Sequence, residues 1–479
     1  MRYKEGIDKN QIRLEPMCMD DMIEEGNICR VISVFTEQLD MEKLGYKYGK
    51  CKEKGCKPYD PRMMLNLYIY GYLNRINSSR RLEKETYRNI EVMWLMEGLK
   101  PDDKTICNFR KDNAKALKKT FREFSIICRK LGLYGCKLVA IDGTKIRANN
   151  SRKNNHNAIT IEREISRIEK RINEYMNELE QLDNQEEEKS PTRKEIVKAI
   201  EKLKERNTEY KNFLSEIEEK GEVSTVDPDS KLMHQNGDGR KLDVCYNSQT
   251  VVDEKNSLIV DFEVTTRSDD KGNLTYMGEL AKDVMDVEDI TVLADKGYYD
   301  GKDIRNCERN GIKCLIAKPH SGGCKHEDGF SIEYFQYDKL SDSYVCPAGQ
   351  KFKFMRKQTH SNGKEYLVYS NFSACANCDL REKCTKSKYR KILRLPYQEI
   401  LDEVDNRTAN NRELYKKRQE IVEHPFGTVK TNWGFRRFLC RSRSKVSAEM
   451  ALVFLAYNLL RLINILKENS IKNLKNFGG

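Results

Sequence analysis

Apolar positions recur along this chain at two periods, and the change from one to the other divides it. From residue 1 to 136 the period is helical. "YDPRMMLNLYIYGYLNRI" places Asp60 as an N-cap and Pro61 at the first helical position, ahead of an apolar face. "SSRRLEKETYRNIEVMWLM" and "TICNFRKDNAKALKKTFREFSIICRKLGL" continue as capped helices rich in Arg and Lys. At Cys136 the texture changes. "KLVAIDGTKI" (137–146) predicts a short strand that ends at Asp142 and turns at Gly143. "CYNSQTVVDEKNSLIVDFEVTT" (245–266) predicts two strands joined at Asp253–Asn256. "NLTYMGELAKDVM" predicts a helix, "DITVLADKGYYD" (289–300) a strand ending at Asp295, and "GIKCLIAKP" (311–319) one more strand. That order implies an α/β domain with a mixed sheet behind an all-α N-terminal domain.

Two stretches interrupt the α/β pattern. Between 157 and 220, Ile161, Ile165, Ile168, Ile172, Tyr175, Leu179 and Leu182 alternate spacings of four and three, as do Ile196, Ile200, Leu203, Asn207, Tyr210, Leu214 and Ile217. Two coiled-coil helices are expected, either folded back as an antiparallel hairpin or paired between chains, with Asn207 on the seam. Residues 330–395 alternate polar and apolar positions and then gather cysteines, which predicts a small β-rich insertion. Beyond it, "VSAEMALVFLAYNLLRLINIL" (446–466) is broken by Glu449, Asn458, Arg461 and Asn464, which suits a buried amphipathic helix better than a membrane span.

Composition narrows the class. Hydrophobic residues make up 38% and charged residues 34%, enough for folded cores under very polar surfaces. The net charge of +12 favours a polyanionic partner, nucleic acid before an acidic membrane surface. From Pro425 onward ten Lys and Arg face two Glu, so the tail carries much of that bias. The basic N-terminal helices read equally as groove binders or as a solvated bundle face. Sixteen cysteines behind a start, "MRYKEGIDKNQ", that lacks an apolar leader lead us to expect a reducing, cytoplasmic setting and no membrane.

Candidate chemistry rests on carboxylates. Asp142 and Asp295 each close an apolar strand, where functional groups gather in sheets with parallel neighbours; the plain alternative for each is a turn or cap residue. Converging, they would bind Mg²⁺, and a third carboxylate from a helix would complete a two-metal site. "VEHPFGTVKTNWGFRRF" (422–438) offers Glu423 alone among bases and aromatics, with Lys430, Arg436, Arg437 and Trp433 as candidate contacts to DNA. Periodicity by itself does not select Glu423 from the other acids.

At these residues the chain resembles the DDE-class transposases of bacterial insertion sequences. "AIDGTKIRANNSRKNN", "LADKGYYDG" and "YKKRQEIVEHPFGTVKTNWGFRRFLCRS" carry the resemblance, in family order, and "YDPRMMLNLYIYGYLNRINSSRRLEKE", "DDKTICNFRK", "DPDSKLM" and "YNSQTVVD" extend it over most of the chain. The resemblance implies an RNase H-like catalytic core over 137–320 and 396–470, a helical DNA-binding domain over 1–136, and the metal-binding triad Asp142, Asp295 and Glu423. It also implies a Tyr-Arg-Glu-Lys pattern around the glutamate, matched by Tyr415, Arg418, Glu423 and Lys430, with four residues between Arg418 and Glu423 where the family commonly has three. The implied activity is Mg²⁺- or Mn²⁺-dependent cutting at terminal inverted repeats and joining of 3′-hydroxyls to target DNA, by two ions and a homodimer on DNA, in the bacterial cytoplasm at the nucleoid. A DNA-binding protein or repressor without chemistry, and a nuclease without strand transfer, are the other readings.

Cys346, Cys375, Cys378 and Cys384 have the form Cys-x28-Cys-x2-Cys-x5-Cys, a spacing open to structural zinc or to reduced cysteines. Cys51 with Cys56, and Cys324 with His326, read as ordinary residues.

Overall fold

The computed structural model describes residues 18–50, 57–183, 191–235, 238–319, 330–360, 363–467 and 474. Among the described residues seven α-helices come before the first strand: α1 (Ile28–Glu37), α2 (Met41–Leu44), α3 (Pro61–Leu73), α4 (Ser79–Arg88), α5 (Ile90–Leu95), α6 (Asp103–Asp112) and α7 (Ala114–Lys130). Most begin where local chemistry dictates. Asn27, Asp40, Asp60, Asn89 and Asp102 each accept a hydrogen bond from a backbone N–H of the first turn, and Pro61 follows Asp60 as the helix opens. α3 is buried at every position from Met64 to Tyr72, which makes it the centre of this group.

The α/β part begins with β1 (Leu138–Arg147). After it, β2 (Asn155–His156) leads into α8 (Ala158–Asp183), α9 (Pro191–Lys220) returns, and β3 (Val223–Ser224) pairs with β2. The two long helices run antiparallel within the chain, with Lys211 Nζ 3.1 Å from Glu169, around a separate apolar cluster that includes Ile161, Ile168, Ile200 and Tyr210. Then follow β4 (Lys231–Gln235), β5 (Asp238–Asp253), β6 (Ile259–Thr265), α10 (Leu274–Met285), β7 (Ile290–Ala294), α11 (Gly301–Arg309) and β8 (Ile312–Ile316).

One sheet holds six of these strands in the order β4-β5-β1-β7-β8, with β6 also on β5. β6, β5 and β1 are antiparallel neighbours, whereas β1, β7 and β8 are parallel. β1 does not turn at Gly143 as its sequence suggests. β7 pairs with it only as far as Ile141, but β5 has sixteen residues and supplies partners from Val139↔Asp253 to Arg147↔Cys245. Asp142 therefore lies within a strand.

The second sheet comprises β9 (Gln336–Asp338), β10 (Ser343–Val345), β11 (Lys351–Thr359), β12 (Glu365–Ser370) and, after α12 (Phe372–Ala376) and α13 (Arg381–Cys384), β13 (Lys391–Arg394). It is antiparallel throughout and has its own small core of Phe335, Tyr344, Phe352, Tyr369 and Ile392. After it come α14 (Gln398–Asn410), α15 (Arg412–Phe426), a wider π-helical turn over Gly427–Asn432, and α16 (Arg443–Leu466).

α16 is long and apolar enough to cross a membrane by length and composition, but 83% of its apolar window is buried against the rest of the chain. It packs on α3, α6, α7 and β6, so the N-terminal helices and the sheet share one core. Its polar interruptions satisfy backbone that would otherwise be stranded. Asn458 accepts from Ile259 N at 2.9 Å and donates to Ile259 O at 2.7 Å, covering part of the outer edge of β6. Glu449, 0% exposed, accepts from Leu439 N and Cys440 N and faces Arg110 Nη1 at 3.7 Å.

Removing one member of a buried pair leaves the other charge uncompensated, at a cost of about 3–5 kcal/mol. Glu449→Ala is expected to lower the urea-unfolding free energy by that amount, and a loss below about 1 kcal/mol would show that Arg110 finds other compensation.

Candidate active site

The pairing of β1 with β7 ends at Ile141↔Ala294, so Asp142 and Asp295 are the next residues on two adjacent parallel strands. Strands in a sheet lie about 4.8 Å apart, which makes the two carboxylates neighbours. Asp142 accepts from Gly143 N at 2.8 Å, and Asp295 caps a short turn by accepting from Lys296 N at 2.7 Å. α15 lies across β1, β5 and β7, with Ile421, Val422 and Pro425 buried. From the same stripe Arg418, 12% exposed, sets Nη1 3.6 Å from Asp142 Oδ2 and Nη2 4.0 Å from Asp295 Oδ1.

Burial pushes the Asp142 carboxyl up to about 6; Arg418 and the Gly143 N–H work against that shift, while Asp270 and Asp295 add to it. Charge-assisted hydrogen bonds run at about 2.7–2.9 Å. At 3.6 and 4.0 Å, Arg418 leaves this negative charge only partly neutralised.

Asp270, in the loop between β6 and α10, was not legible as part of this group. Its Oδ1 accepts from Asn247 Nδ2 at 2.8 Å and Gln249 Nε2 at 2.7 Å, both on β5. Gly143 makes the approach possible, since a Cβ there would stand 2.6 Å from Asp270 Oδ1 and 2.5 Å from Gln249 Nε2. The loop "RSDDKGN" has no strand-end context to mark it, and only the glycine across from it offers a signal.

Glu423 follows Arg418 by five residues on α15, roughly 140° round the helix. It lies on the exposed side, and its carboxylate makes no hydrogen bond or ion pair among the described residues. The fold brings Asp142 and Asp295 together beside Arg418, with Asp270 close enough to act on the Asp142 charge. Among the described residues, no three His, Cys, Asp or Glu side chains stand close enough together to hold a metal ion as they lie. α15 contains Pro425 in its last turn, although proline disfavours a helical conformation at the residue before it. It continues through Phe426, and just beyond it the turn widens and Thr428 Oγ1 donates to His424 O at 3.0 Å. In that turn Lys430 is pulled down by burial, while nearby Cys245 and Asp142 oppose the shift.

The aromatics interleaved with bases in 422–438 divide between surface and core. Phe435 and Phe438 are buried, edge-on to Tyr72 at 6.3 Å and Tyr246 at 6.0 Å respectively, so they join the helices to the sheet and present no face to a ligand. Trp433 and Tyr415 are half-buried against the same core. Arg436 and Arg437 stay exposed at the end of β1, where Arg147 N donates to Arg436 O at 3.2 Å and Arg437 Nη2 donates to Asn149 Oδ1 at 2.9 Å.

Cys346, Cys375, Cys378 and Cys384 line one small cavity in the second sheet's domain, and Gln350 N donates to Cys346 Sγ at 3.4 Å. Burial pushes the Cys384 thiol up, Arg390 opposes this, and the other three cysteines add to it. Cys51, Cys56, Cys324 and His326 lie outside the described residues.

Two family models match the chain. One, described as Transposase DDE domain, covers residues 345–463 and so includes Arg418, Glu423 and Lys430. The other, described as Transposase domain (DUF772), covers 17–112, most of the N-terminal helices. No curated protein matches it.

A carboxyl whose folded-state value is raised binds protons more readily in the folded than in the unfolded chain between about pH 4 and 6. It therefore costs stability above that window, and the cost fades as pH falls through it. Asp142→Asn is expected to raise the melting temperature at pH 7.5, by on the order of 1–2 kcal/mol or a few degrees, and to change it little at pH 4. Equal effects at both values, read by differential scanning calorimetry, would contradict the raised carboxyl.

Proposed function

We propose, from the premise that its two matched domains are those of a DDE-class insertion-sequence transposase, that this chain cuts DNA at the ends of its element and joins the 3′-hydroxyls to target DNA. The observation that carries the reading is the pair Asp142 and Asp295 on adjacent parallel strands beneath a helix of the matched transposase DDE domain. A sheet of three antiparallel strands followed by two parallel ones supports an RNase H-like core. The carboxylate oxygens of Asp142 and Asp295 are hard donors of the kind that Mg²⁺ or Mn²⁺ prefers. In this reading Asp142, Asp295 and Glu423 would hold two such ions once the side chains are drawn together, and the ions would activate the attacking oxygen and steady the leaving one. Glu423 enters through its place in the matched domain, on the helix that also carries Arg418.

The chain's own residues do the rest. Arg418 keeps the two aspartates charged and oriented. Lys430, half-buried near Asp142, and the exposed Arg436 and Arg437 hold the phosphate backbone, with Tyr415 and Trp433 flanking them. The N-terminal helices bind the terminal repeats, the helical pair α8–α9 acts as a coiled-coil insertion, and a homodimer brings two ends together in the cytoplasm. The four cysteines would hold a structural zinc once drawn together: they line one cavity, and an N–H donated to Cys346 Sγ suits a thiolate ligand.

Asp295→Ala is expected to abolish cutting of a labelled DNA carrying the element's own ends in Mg²⁺, while end binding stays within about threefold of wild type. Binding without cutting by the wild type would favour the DNA-binding reading, and cutting without joining the nuclease. Metal analysis of protein purified without chelator should find one zinc per chain, lost in Cys378→Ser; a zinc-free wild type would retire that assignment.

A further inference from the structure

Resting on the reading of Glu423 as a metal ligand, we infer that His424 is a positioning residue for it, tying the last turn of α15 to α16 and to the turn between β5 and β6. The Glu423 carboxylate has no partner among the described residues, so the backbone of its own turn decides where it stands. That backbone is short of a bond. Pro425 has no N–H to give to Ile421 O four residues back, and directly after Phe426 the helix widens into the π-helical turn.

His424 provides a tether from outside the helix. Its Nδ1 lies 2.8 Å from the Tyr457 hydroxyl, and that hydroxyl donates to Ser257 O at 2.7 Å. A carbonyl oxygen can only accept, so the one hydroxyl proton of Tyr457 goes to Ser257 and the imidazole donates through Nδ1. The direction of both bonds is thereby fixed. The far end of the tether is firm. Tyr457 is 1% exposed on α16, and one turn along that helix Arg461 donates through Nε and Nη2 to Asn256 O at 3.1 and 2.7 Å. Ser257 keeps a left-handed φ of +52°, a conformation that a non-glycine residue holds only where its surroundings impose it. The imidazole itself lies on the exposed side of α15, next in sequence to Glu423. Apolar packing of the helix alone would need Ile421, Val422 and Pro425, but no directed bond from an exposed histidine.

His424→Asn separates the directed bond from the bulk of the ring, because an amide N–H can take the place of Nδ1–H, whereas His424→Ala loses it. The readout is cutting of the labelled element-end DNA by the full chain, followed against Mg²⁺ and against DNA concentration. A misplacement of about 1 Å lowers a rate by up to about a hundredfold, so His424→Ala and Tyr457→Phe are each expected to reduce kcat roughly ten- to hundredfold. The Mg²⁺ concentration for half-maximal cutting should rise in both, while KM for DNA changes little. The double variant is expected to be no worse than either single one, since both remove the same bond. His424→Asn should recover most of the wild-type rate. A lower melting temperature in His424→Ala with kcat and Mg²⁺ requirement unchanged would leave a purely structural tether, and an equal loss in the Ala and Asn variants would remove the directed bond from the explanation. Either result, with Glu423→Gln unable to cut, overturns this inference alone. Cutting by Glu423→Gln at the wild-type rate, or none by the wild type, overturns the reading of Glu423 and the inference with it.

Discussion

The parallel register of β1 with β7 is the constraint on which the site depends. Once Ile141 stands opposite Ala294, the following residue on each strand is an aspartate, and two negative charges must share the space about one strand spacing apart. Burial raises the Asp142 carboxyl toward neutrality, and the neighbouring Asp270 and Asp295 charges add to that. α15 answers by bringing a guanidinium within reach of both. The packing of Ile421 and Val422 against the sheet is therefore also what aims Arg418.

A second dependence runs through buried polar groups in the helix that looks least suited to carry them. Glu449 takes the N–H groups of Leu439 and Cys440 and faces Arg110 of α6. It thus fixes the segment that brings Arg436 and Arg437 to the end of β1, and it does so from a helix packed on the N-terminal group. Leader helices, sheet and basic tail are joined at one charge. Phe435 and Phe438 reinforce the junction by packing on Tyr72 from the helices and Tyr246 from the sheet.

What the sequence determined by itself is what near neighbours decide. Asp60 and Pro61 start a helix because capping acts within four residues, and Asp295 ends a strand because "ITVLA" stops there. The paired isoleucine stripes of 157–220 and the polar breaks in 446–466 were legible for the same reason. The matched transposase domains agree with motifs that could be read directly.

Tertiary structure decided whatever turns on pairing across a hundred residues or more. β1 runs past Asp142 because β5 supplies partners to Arg147. Asp270 reaches Asn247 and Gln249 of β5 because Gly143 leaves it room, a fact about two residues 127 apart in sequence. Glu423 stands on the exposed side of α15 because Arg418, Ile421, Val422 and Pro425 take the side that faces the sheet. The aromatics beside the basic residues turn inward because the helices and sheet meet there. Periodicity records which positions want burial, but the partner that buries them lies elsewhere in the chain, and only the folded register identifies it.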